Sequence, residues 1–266
     1  MDGRALAELE HENMIRVMTE FGSAVPGALV RHADGVAIES TRLPFLLFNQ
    51  VIVEDAATPA AVAAAVETMR GRDHRFTVNL RVGLDDRFVP LLEELGFEQL
   101  SEKPWMPGMA LEGLTAEPPP PAIADFEIRR ETDWAGVETH IHTGAIGFEM
   151  PEEVLAAIFS PALLARDDVW IYVGYAGGEP VATGLGVRTG RTIGVYNVAT
   201  LPDARGRGYG AAITRRVMAD GAAAGCDVAI LQASEMGYPI YERLGFRTVV
   251  EYMAWVEPGA AAAEGH

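Results

Sequence analysis

The sequence predicts a mixed α/β fold organised as two domains. Three observations support this prediction: the chain has 266 residues, strand and helix patterns alternate in both halves, and a proline-rich segment separates the halves. A chain of this length readily forms two cores of ordinary size. We predict a first domain over residues 1–114, a linker over 115–125, a second domain over 126–257 and a flexible tail over 258–266.

The predicted linker, TAEPPPPAIAD, contains four consecutive prolines. Proline has no backbone N–H and favours extended polyproline geometry. Such a run is typical of a connection between domains.

The first half alternates predicted strands and helices. Thr58 and Pro59 suit the N-cap and the first position of a helix, and short apolar runs bounded by turn residues indicate strands. The predicted strands are GVAIESTRL, PFLLFNQVIVE, HRFTVNLRV and PGMALEG, and the predicted helices are TPAAVAAAVETMRG and RFVPLLEELGF.

The second half has the same mixed order. Turns at Gly177-Gly178 and Gly190 divide residues 168–200 into strands, and Gly225 ends a helix. In chain order, the predicted elements are the strand FEIRR, helical stretches through PEEVLAAIF, the strands of 168–200, the helix GYGAAITRRVMADGAAAG, the buried strand DVAILQAS, the helix YPIYERLGF and the strand TVVEYMAWV.

Charge limits the partners of the chain. It carries 38 acidic and 21 basic residues, a formal net charge of −17, which repels phosphate backbones and anionic lipids. A nucleic-acid or membrane partner is therefore disfavoured and a cationic partner such as an amine is favoured, although a solubilising surface is the simpler explanation.

Apolar segments and cysteine content indicate a cytoplasmic protein. The N-terminal segment MDGRALAELEHENMIRVMTEF has no basic leader, and the longest nearly apolar run, LPFLLFNQVIV, is too short to span a bilayer. Cys226 is the only cysteine, which excludes an internal disulfide and a cysteine-cluster metal site.

The two halves share details that indicate an old duplication. VPLLEELGF, residues 89–97, matches YPIYERLGF, residues 238–246, at the proline, glutamate, leucine, glycine and phenylalanine positions. LFNQV and VYNVA each carry an asparagine in a strand that leads towards a helix, at nearly the same interval.

The segment LPDARGRGYGAA, residues 201–212, predicts an anion-binding turn between a strand that ends near Thr200 and a helix that starts near Gly208. The first amides of a helix have no intrahelical acceptor, and glycine lets the backbone approach a ligand closely. The helix dipole, Arg205 and Arg207 add favourable potential. The expected ligand is a phosphate or a diphosphate.

Two other phosphate-binding motifs fit this turn less well. Gly206-x-Gly208-x-x-Ala211 superficially satisfies a dinucleotide fingerprint, but that motif belongs between the first strand and helix of a doubly wound parallel sheet, and strand-turn-strand segments precede it here. A P-loop is excluded because no Gly-Lys-Ser or Gly-Lys-Thr follows.

The stretch from VYNVAT to YERLGF resembles the core of the GNAT acyltransferase superfamily. The family signature at the cofactor loop is Arg or Gln, two residues, Gly, one residue, then Gly or Ala, and Arg205, Gly208 and Gly210 fill those positions. The resemblance runs from about residue 126 to 256. It implies two GNAT-like domains, each with a mostly antiparallel sheet flanked by helices.

The resemblance implies that acetyl-CoA is the cosubstrate, and we predict no metal cofactor. The loop amides would hold the diphosphate, and the pantetheine arm would lie between two splayed strands, YNVAT and AILQAS, where a backbone N–H polarises the thioester carbonyl. The implied cofactor-binding residues are Val198, Ala199, Thr200, Arg205, Gly206, Arg207, Gly208, Tyr209, Gly210, Ala211 and Ser234.

Tyr241 is the catalytic acid that the resemblance implies. The attacking amine must be neutral, and the departing thiolate benefits from a proton. In the family, a tyrosine at the start of the helix after the fifth strand supplies that proton, and Tyr241 of YPIYERLGF stands there. The alternative is a core-packing tyrosine, because Ile240, Leu244 and Phe246 are core residues.

The base that accepts the amine proton stays open. The family often uses a glutamate on the strand before the loop, but RTIGVYNVAT contains none. Glu149, Glu235 and a chain of water molecules are the alternatives.

Three further residues carry no predicted catalytic or metal chemistry. His140 and His142 diverge on a helix and have no evident third ligand, so we predict no metal site. Ordinary solvation is expected for both, with a substrate-facing loop histidine as the alternative. Nothing near Cys226 marks it as a nucleophile, and we expect it to be structural.

The first half lacks the features of the predicted site. Leu92 stands in the place of Tyr241, and AATPAAVAAAV has neither glycine nor arginine where the second half has Arg205 to Gly210. We predict a degenerate GNAT-like domain that binds no cofactor, covers sheet surface and walls the acceptor cleft. A sensor domain for another ligand is the alternative.

The sequence therefore predicts an acetyl-CoA-dependent N-acetyltransferase with one active site per chain, acting on a primary amine of a small molecule or peptide. Direct attack in a ternary complex is expected, because no Ser-His or Cys-His arrangement indicates an acyl-enzyme. The alternatives are a non-catalytic CoA-binding regulatory protein and a nicotinamide-dependent oxidoreductase. The oligomeric state is open, with a homodimer as one option.

Overall fold

The computed structural model describes residues 1–72, 74–104, 106–116 and 123–259. The chain divides into two compact units: unit 1 contains residues 1–14 and 109–249, and unit 2 contains residues 15–108 and those from 250 onward. Part of the predicted linker, residues 117–122, and part of the predicted tail, residues 260–266, lie outside the described residues.

The elements follow the mixed α/β order. The helices are α1 (Gly3–Gly22), α2 (Pro59–Arg70), α3 (Val89–Glu94), α4 (Trp134–Phe148), α5 (Glu152–Ala157), α6 (Pro161–Leu164), α7 (Tyr209–Ala223) and α8 (Tyr238–Arg243). The strands are β1 (Leu29–Ala33), β2 (Val36–Ser40), β3 (Asn49–Val53), β4 (Thr77–Arg81), β5 (Glu98–Gln99), β6 (Met106–Glu112), β7 (Phe126–Glu131), β8 (Val169–Ala176), β9 (Glu179–Thr189), β10 (Thr192–Thr200), β11 (Val228–Gln232) and β12 (Arg247–Val256). Single 3-10 turns cover Leu46–Phe48, Asp86–Phe88 and Pro202–Ala204.

In unit 2 the strand order is β1-β2-β3-β4-β12. β3 and β4 pair in parallel and the other pairs are antiparallel. The apolar face of α2, formed by Val62, Ala65, Val66 and Met69, belongs to the same core as the strand residues Val36, Ile38, Val51, Val53 and Val78. The parallel pair needs a crossover, and α2 supplies it.

In unit 1 the strand order is β6-β11-β10-β9-β8-β7. The strands from β7 to β10 are antiparallel, whereas β10 and β11 are parallel and are joined through α7. Gly184 of β9 lies against Ile213 of α7, and the adjacent Thr183 lies against Gly144 of α4. Because neighbouring strand residues point to opposite faces, α7 and α4 cover opposite faces of this sheet.

The units differ from the predicted domains at both ends of the chain. The sequence assigns residues 1–14 to the first domain and residues up to 257 to the second, but residues 1–14 belong to unit 1 and the chain from 250 belongs to unit 2. Leu6 packs with Val228 and Ile230 of unit 1, and residues 252–255 of β12 pair with β4 of unit 2. These contacts join residues far apart in sequence, so local sequence patterns do not predict them.

Most predicted elements are confirmed, one is shorter than predicted, and α1, α6, β1 and β5 have no counterpart among the predicted elements. Thr58 caps α2 by accepting a hydrogen bond from the Ala61 N–H at 3.2 Å, with Pro59 at the first position. PFLLFNQVIVE is a strand only from Asn49, because Leu46–Phe48 forms a 3-10 turn. The sequence assigns no element to α1, whose buried positions include Glu10, His11 and Asn13 and so hide its apolar stripe. None of the described helices is long and apolar enough to cross a bilayer.

Candidate active site

An open cavity of about 1020 Å³ lies in unit 1, between the ends of β10 and β11 and the helices α7 and α8. Of the predicted site residues, Arg207 alone does not line it. The predicted residues that line it are Val198, Ala199, Thr200, Arg205, Gly206, Gly208, Tyr209, Gly210, Ala211, Ser234 and Tyr241.

The strands β10 and β11 separate at this cavity. They pair in parallel from Thr192 with Val228 to Gly194 with Ile230, and β10 then continues to Thr200. A bulge between Tyr196 and Ala199, with Asn197 at a φ of 48°, shifts the register with β9. Within the described pairing, Val198, Ala199 and Thr200 therefore have no partner on β11.

The turn before α7 has the geometry of an anion site. Gly206 and Gly208 have φ values of 79° and 84°, which favour glycine. The N–H of Ala212 donates to the Gly208 carbonyl at 3.0 Å, whereas the N–H groups of residues 206–211 donate to no backbone acceptor in the described chain. Six consecutive amides at the start of a long helix thus have no backbone acceptor among the described residues, as an anion site requires.

The two arginines of the turn point to protein acceptors. The Arg205 guanidinium donates to the Gly147 carbonyl at 2.9 Å and to the Glu149 carboxylate at 3.2 Å, both at the end of α4. Arg207 is exposed and donates to the Asp203 carbonyl at 3.4 Å. Arg205 therefore ties the end of α4 to the turn, a role that the sequence does not reveal.

Two other arginines line the cavity, and the sequence reasoning missed both. Arg215 lies four residues after Ala211 on α7 and therefore on the same helix face. Arg243 lies three residues after Ile240 on α8. Helical spacing from the predicted turn was the available signal for Arg215. With Arg205, they make the cavity locally basic in a protein of net charge −17.

The side chains of Tyr209 and Ser234 are engaged in the fold. The Tyr209 ring stacks on Phe126 with centroids 4.3 Å apart. The Ser234 hydroxyl accepts a hydrogen bond from the Gly237 N–H at 3.2 Å, next to the start of α8. Because its ring packs on Phe126, Tyr209 contributes mainly its backbone to the cavity lining.

Tyr241 lies on α8 with its side chain mostly buried, at 9% exposure. Its ring meets Phe246 edge-on at 6.0 Å, and its hydroxyl has no hydrogen-bond partner in the described part of the chain. Burial raises the pKa of Tyr241 to about 12. The phenol is therefore protonated at neutral pH while it lines the cavity.

Both candidate carboxylates line the cavity. Glu149 ends α4 in the left-handed region, at a φ of 57°, and pairs with Arg205. Glu235 is exposed in the segment between β11 and α8.

The histidines have different environments. His140 is fully buried on α4 and its Nδ1 donates to the Tyr172 carbonyl at 3.0 Å, so the expectation of solvation is wrong for this residue. Burial lowers the pKa of His140 to about 4. His142 is exposed and pairs with Glu152 at 2.7 Å. Among the described residues, no group of three or more His, Cys, Asp or Glu side chains could hold a metal ion.

Cys226 is buried, and burial raises the pKa of its thiol. This environment disfavours the thiolate, as a structural residue requires.

Residues 129–238 match the family model described as "Acetyltransferase (GNAT) domain". No curated protein sequence matches the chain significantly.

Three solved structures share the fold at low sequence identity. The GCN5-related N-acetyltransferase from Kribbella flavida is 21% identical with a TM-score of 0.68, covering 94% of this chain and 97% of that chain. The one from Sphaerobacter thermophilus is 15% identical with a TM-score of 0.63, covering 84% and 76%. A tandem GNAT protein from the clavulanic acid biosynthesis pathway is 12% identical with a TM-score of 0.64, covering 94% of each chain. These similarities concern the fold, and they extend beyond the segment that the family model matches.

Proposed function

We propose a function from the premise that residues 129–238 of this chain form a GNAT acetyltransferase domain. The predicted fold class, a mixed α/β chain with two GNAT-like domains, is confirmed. Family membership implies acyl transfer from acetyl-CoA. Our proposal is that the chain acetylates a primary amine of a small molecule or peptide by direct attack in a ternary complex.

The residues of the cavity fit acetyl-CoA. The six available amides of residues 206–211 suit a diphosphate, and Arg215 and Arg243 add positive charge. The gap between β10 and β11 suits an extended arm that adds hydrogen bonds like a strand. The coincidence of free amides, strand gap and phenol in one cavity carries the proposal.

When bound, acetyl-CoA supplies the acetyl group: a C–N bond forms to the amine, the C–S bond breaks, and CoA leaves as a thiol. The backbone N–H groups of residues 198–200 lie beside the strand gap, where one of them would stabilise negative charge on the carbonyl oxygen.

Tyr241 holds the proton that the leaving sulfur requires. Its raised pKa, about 12, keeps the proton on the phenol until negative charge develops nearby. The amine nitrogen releases one proton to a base as the C–N bond forms. Return of that proton to the phenolate, through water, restores the phenol, so the protons balance.

Glu235 is the candidate base with an uncommitted carboxylate, because the Glu149 carboxylate pairs with Arg205. A chain of water molecules that leads to bulk solvent is the alternative.

The substitution Tyr241→Phe tests the proposal. We expect the rate of CoA release with an amine to fall roughly 100-fold, because general acid catalysis contributes about 10²–10⁴, while acetyl-CoA affinity by calorimetry stays within a factor of two. Tyr238→Phe is the matched control on the same helix, because the Tyr238 hydroxyl meets Thr248 at 3.0 Å and does not line the cavity.

Unchanged turnover in the Tyr241 variant would exclude this residue as the acid. Binding of acetyl-CoA without transfer to any amine would favour the non-catalytic CoA-binding protein instead. Stabilisation by NAD but not by CoA in a thermal shift assay would favour the oxidoreductase.

A further inference from the structure

Two large apolar side chains line the cavity yet remain exposed. Phe148 at the end of α4 is 40% exposed, and Met236 before α8 is 66% exposed. Single exposed apolar residues are ordinary, but these two come from separate elements and line the same cavity. Neither suits a phosphate or a diphosphate, so the anion-binding turn does not account for them.

Each apolar side chain is adjacent in sequence to a carboxylate that also lines the cavity. Glu149 follows Phe148, and Glu235 precedes Met236. Glu149 is paired with Arg205, whereas Glu235 makes no ion pair within the described part of the chain. The segment before α8 therefore presents one apolar and one anionic side chain together.

The positively charged side chains of the cavity lining lie away from Glu235 and Met236. Arg243 is the last residue of α8, whereas Glu235 and Met236 precede its first residue. A six-residue helix is about 9 Å long, so the two ends of α8 differ in charge over that distance. Arg215 is on α7, beyond the anion-binding turn. The arginines thus suit the phosphates, and the Glu235–Met236 end is left for the acceptor.

We propose that the acceptor is a primary amine with an apolar body and no carboxylate. The inference rests on the proposed function and names its substrate class. Phe148 and Met236 contact the apolar body, with Met236 adapting its shape because methionine is flexible and polarisable. The uncompensated carboxylate of Glu235 attracts a cationic amine on approach and repels an acceptor that carries its own carboxylate.

Three amines test the proposal at saturating acetyl-CoA. Phenethylamine has the apolar body alone, L-phenylalanine adds a carboxylate to the same body, and ethanolamine lacks the body. We expect kcat/KM for phenethylamine to exceed that for each of the others by at least about tenfold, in the range that apolar pockets achieve.

Single substitutions test which residues cause the preference for an apolar amine. Met236→Ser and Phe148→Ser should each lower kcat/KM for phenethylamine by about fivefold through lost apolar contact. Ile146→Ser is the matched control, because Ile146 is 44% exposed on the same helix as Phe148 but does not line the cavity. Glu235→Gln should lower the ratio of kcat/KM for phenethylamine to kcat/KM for L-phenylalanine. Loss of a general base alone would lower both values alike and leave that ratio unchanged. Glu242→Gln, on an exposed residue of α8 outside the cavity lining, should also leave the ratio unchanged.

The outcomes separate the two proposals. Equal acetylation of L-phenylalanine or ethanolamine overturns the acceptor class and leaves the acetyltransferase function standing. Acetyl-CoA binding with no transfer to phenethylamine also overturns the acceptor class. Failure to bind acetyl-CoA overturns both.

Discussion

Units 1 and 2 contain the same succession of elements but differ in strand pairing and in the residues that begin the following helix. In unit 1, β10, α7, β11 and α8 follow one another, and in unit 2 β3, α2, β4 and α3 do. Both successions contain a parallel strand pair joined by a helix. The comparison shows that a cavity depends on a few residues at the strand ends rather than on the arrangement of elements.

The strand ends differ most clearly in pairing. Matching the asparagines of LFNQV and VYNVA aligns residues 50–52 with residues 198–200. In unit 2 residues 50–52 pair with residues 77–79 of β4, whereas in unit 1 residues 198–200 have no described partner on β11. The gap that would receive a ligand in unit 1 is closed by hydrogen bonds in unit 2.

The N-termini of α7 and α2, the helices that follow these strands, also differ in their unpaired N–H groups. In unit 1 the turn before α7 and the first residues of α7 contain six amides, 206–211, with no backbone acceptor among the described residues. In unit 2 Thr58 accepts the Ala61 N–H, and Pro59 has no N–H to offer. Beyond β3, the Arg81 guanidinium donates to Asp85 at 2.7 Å and to Asp55 at 2.7 Å, which ties the loop after β3 to the end of β4.

The last helix completes the contrast. Leu92 and Tyr241 are both the fourth residue of their helices, and Leu92 is fully buried in the core of unit 2. We propose that unit 2 is a degenerate GNAT-like domain without a cofactor.

A negative charge at the start of α7 should have the largest effect. We expect Gly210→Asp to weaken acetyl-CoA binding about 1,000-fold, near 4 kcal/mol, because it places a carboxylate among the available amides. The backbone tolerates a side chain there, since a Cβ would lie 3.5 Å from Val198 and 3.6 Å from Thr200, ordinary contacts. Calorimetry measures the affinity. Ala60→Asp, at the second residue of α2, is the matched control and should leave it unchanged.

Breaking the ionic cluster of unit 2 should cost stability without affecting binding. Asp85→Ala leaves the guanidinium of Arg81 buried with Asp55 as its remaining carboxylate, and we expect the free energy of unfolding to fall by about 3 kcal/mol. Urea unfolding measures this loss. Arg81→Met combined with Asp85→Leu should restore most of it. A loss of acetyl-CoA affinity in the single variant would contradict the separation of roles.

Glu39 should make unit 2 lose stability as pH rises. Burial raises the pKa of Glu39 from 4.5 to about 8, against a hydrogen bond from Gln50 at 3.3 Å. The folded state keeps this proton where the unfolded state has lost it, so we expect a loss of about 2 kcal/mol between about pH 5.5 and 7. Hydrogen exchange of peptides from β2 and β3 measures it. Glu39→Gln should remove the slope, and an unchanged slope would exclude Glu39 as its source.

His140 should make unit 1 respond in the opposite direction, with the smallest effect. Burial lowers the pKa of His140 from 6.5 to about 4. Between these values the unfolded state binds a proton that the folded state does not bind. The stability present above pH 6.5 is therefore lost as the pH falls. We expect a loss of about 1 kcal/mol between about pH 6 and 5. Hydrogen exchange of peptides from α4 and β8 measures this loss of stability. His140→Leu should flatten the dependence, and persistence of the slope would assign it to another group.

Much of this contrast could be predicted from the sequence. Thr58-Pro59, the glycine turn and the Leu92–Tyr241 correspondence are local signals, read from capping, turn and helix patterns. Arg215 was also within reach through helical spacing. Met236 and Phe148 were not, because exposure at a cavity depends on the packing of separate elements.

The sequence by itself determined the mixed α/β elements and the residues able to bind an anion and hold a proton, because backbone preferences and side-chain chemistry act over a few neighbouring positions. Only the tertiary structure decided that residues 1–14 and 250–256 complete the opposite units, that Arg205 holds the end of α4, and that His140 is buried. Those outcomes arise from contacts between residues distant in sequence, and burial then sets the protonation of the groups involved.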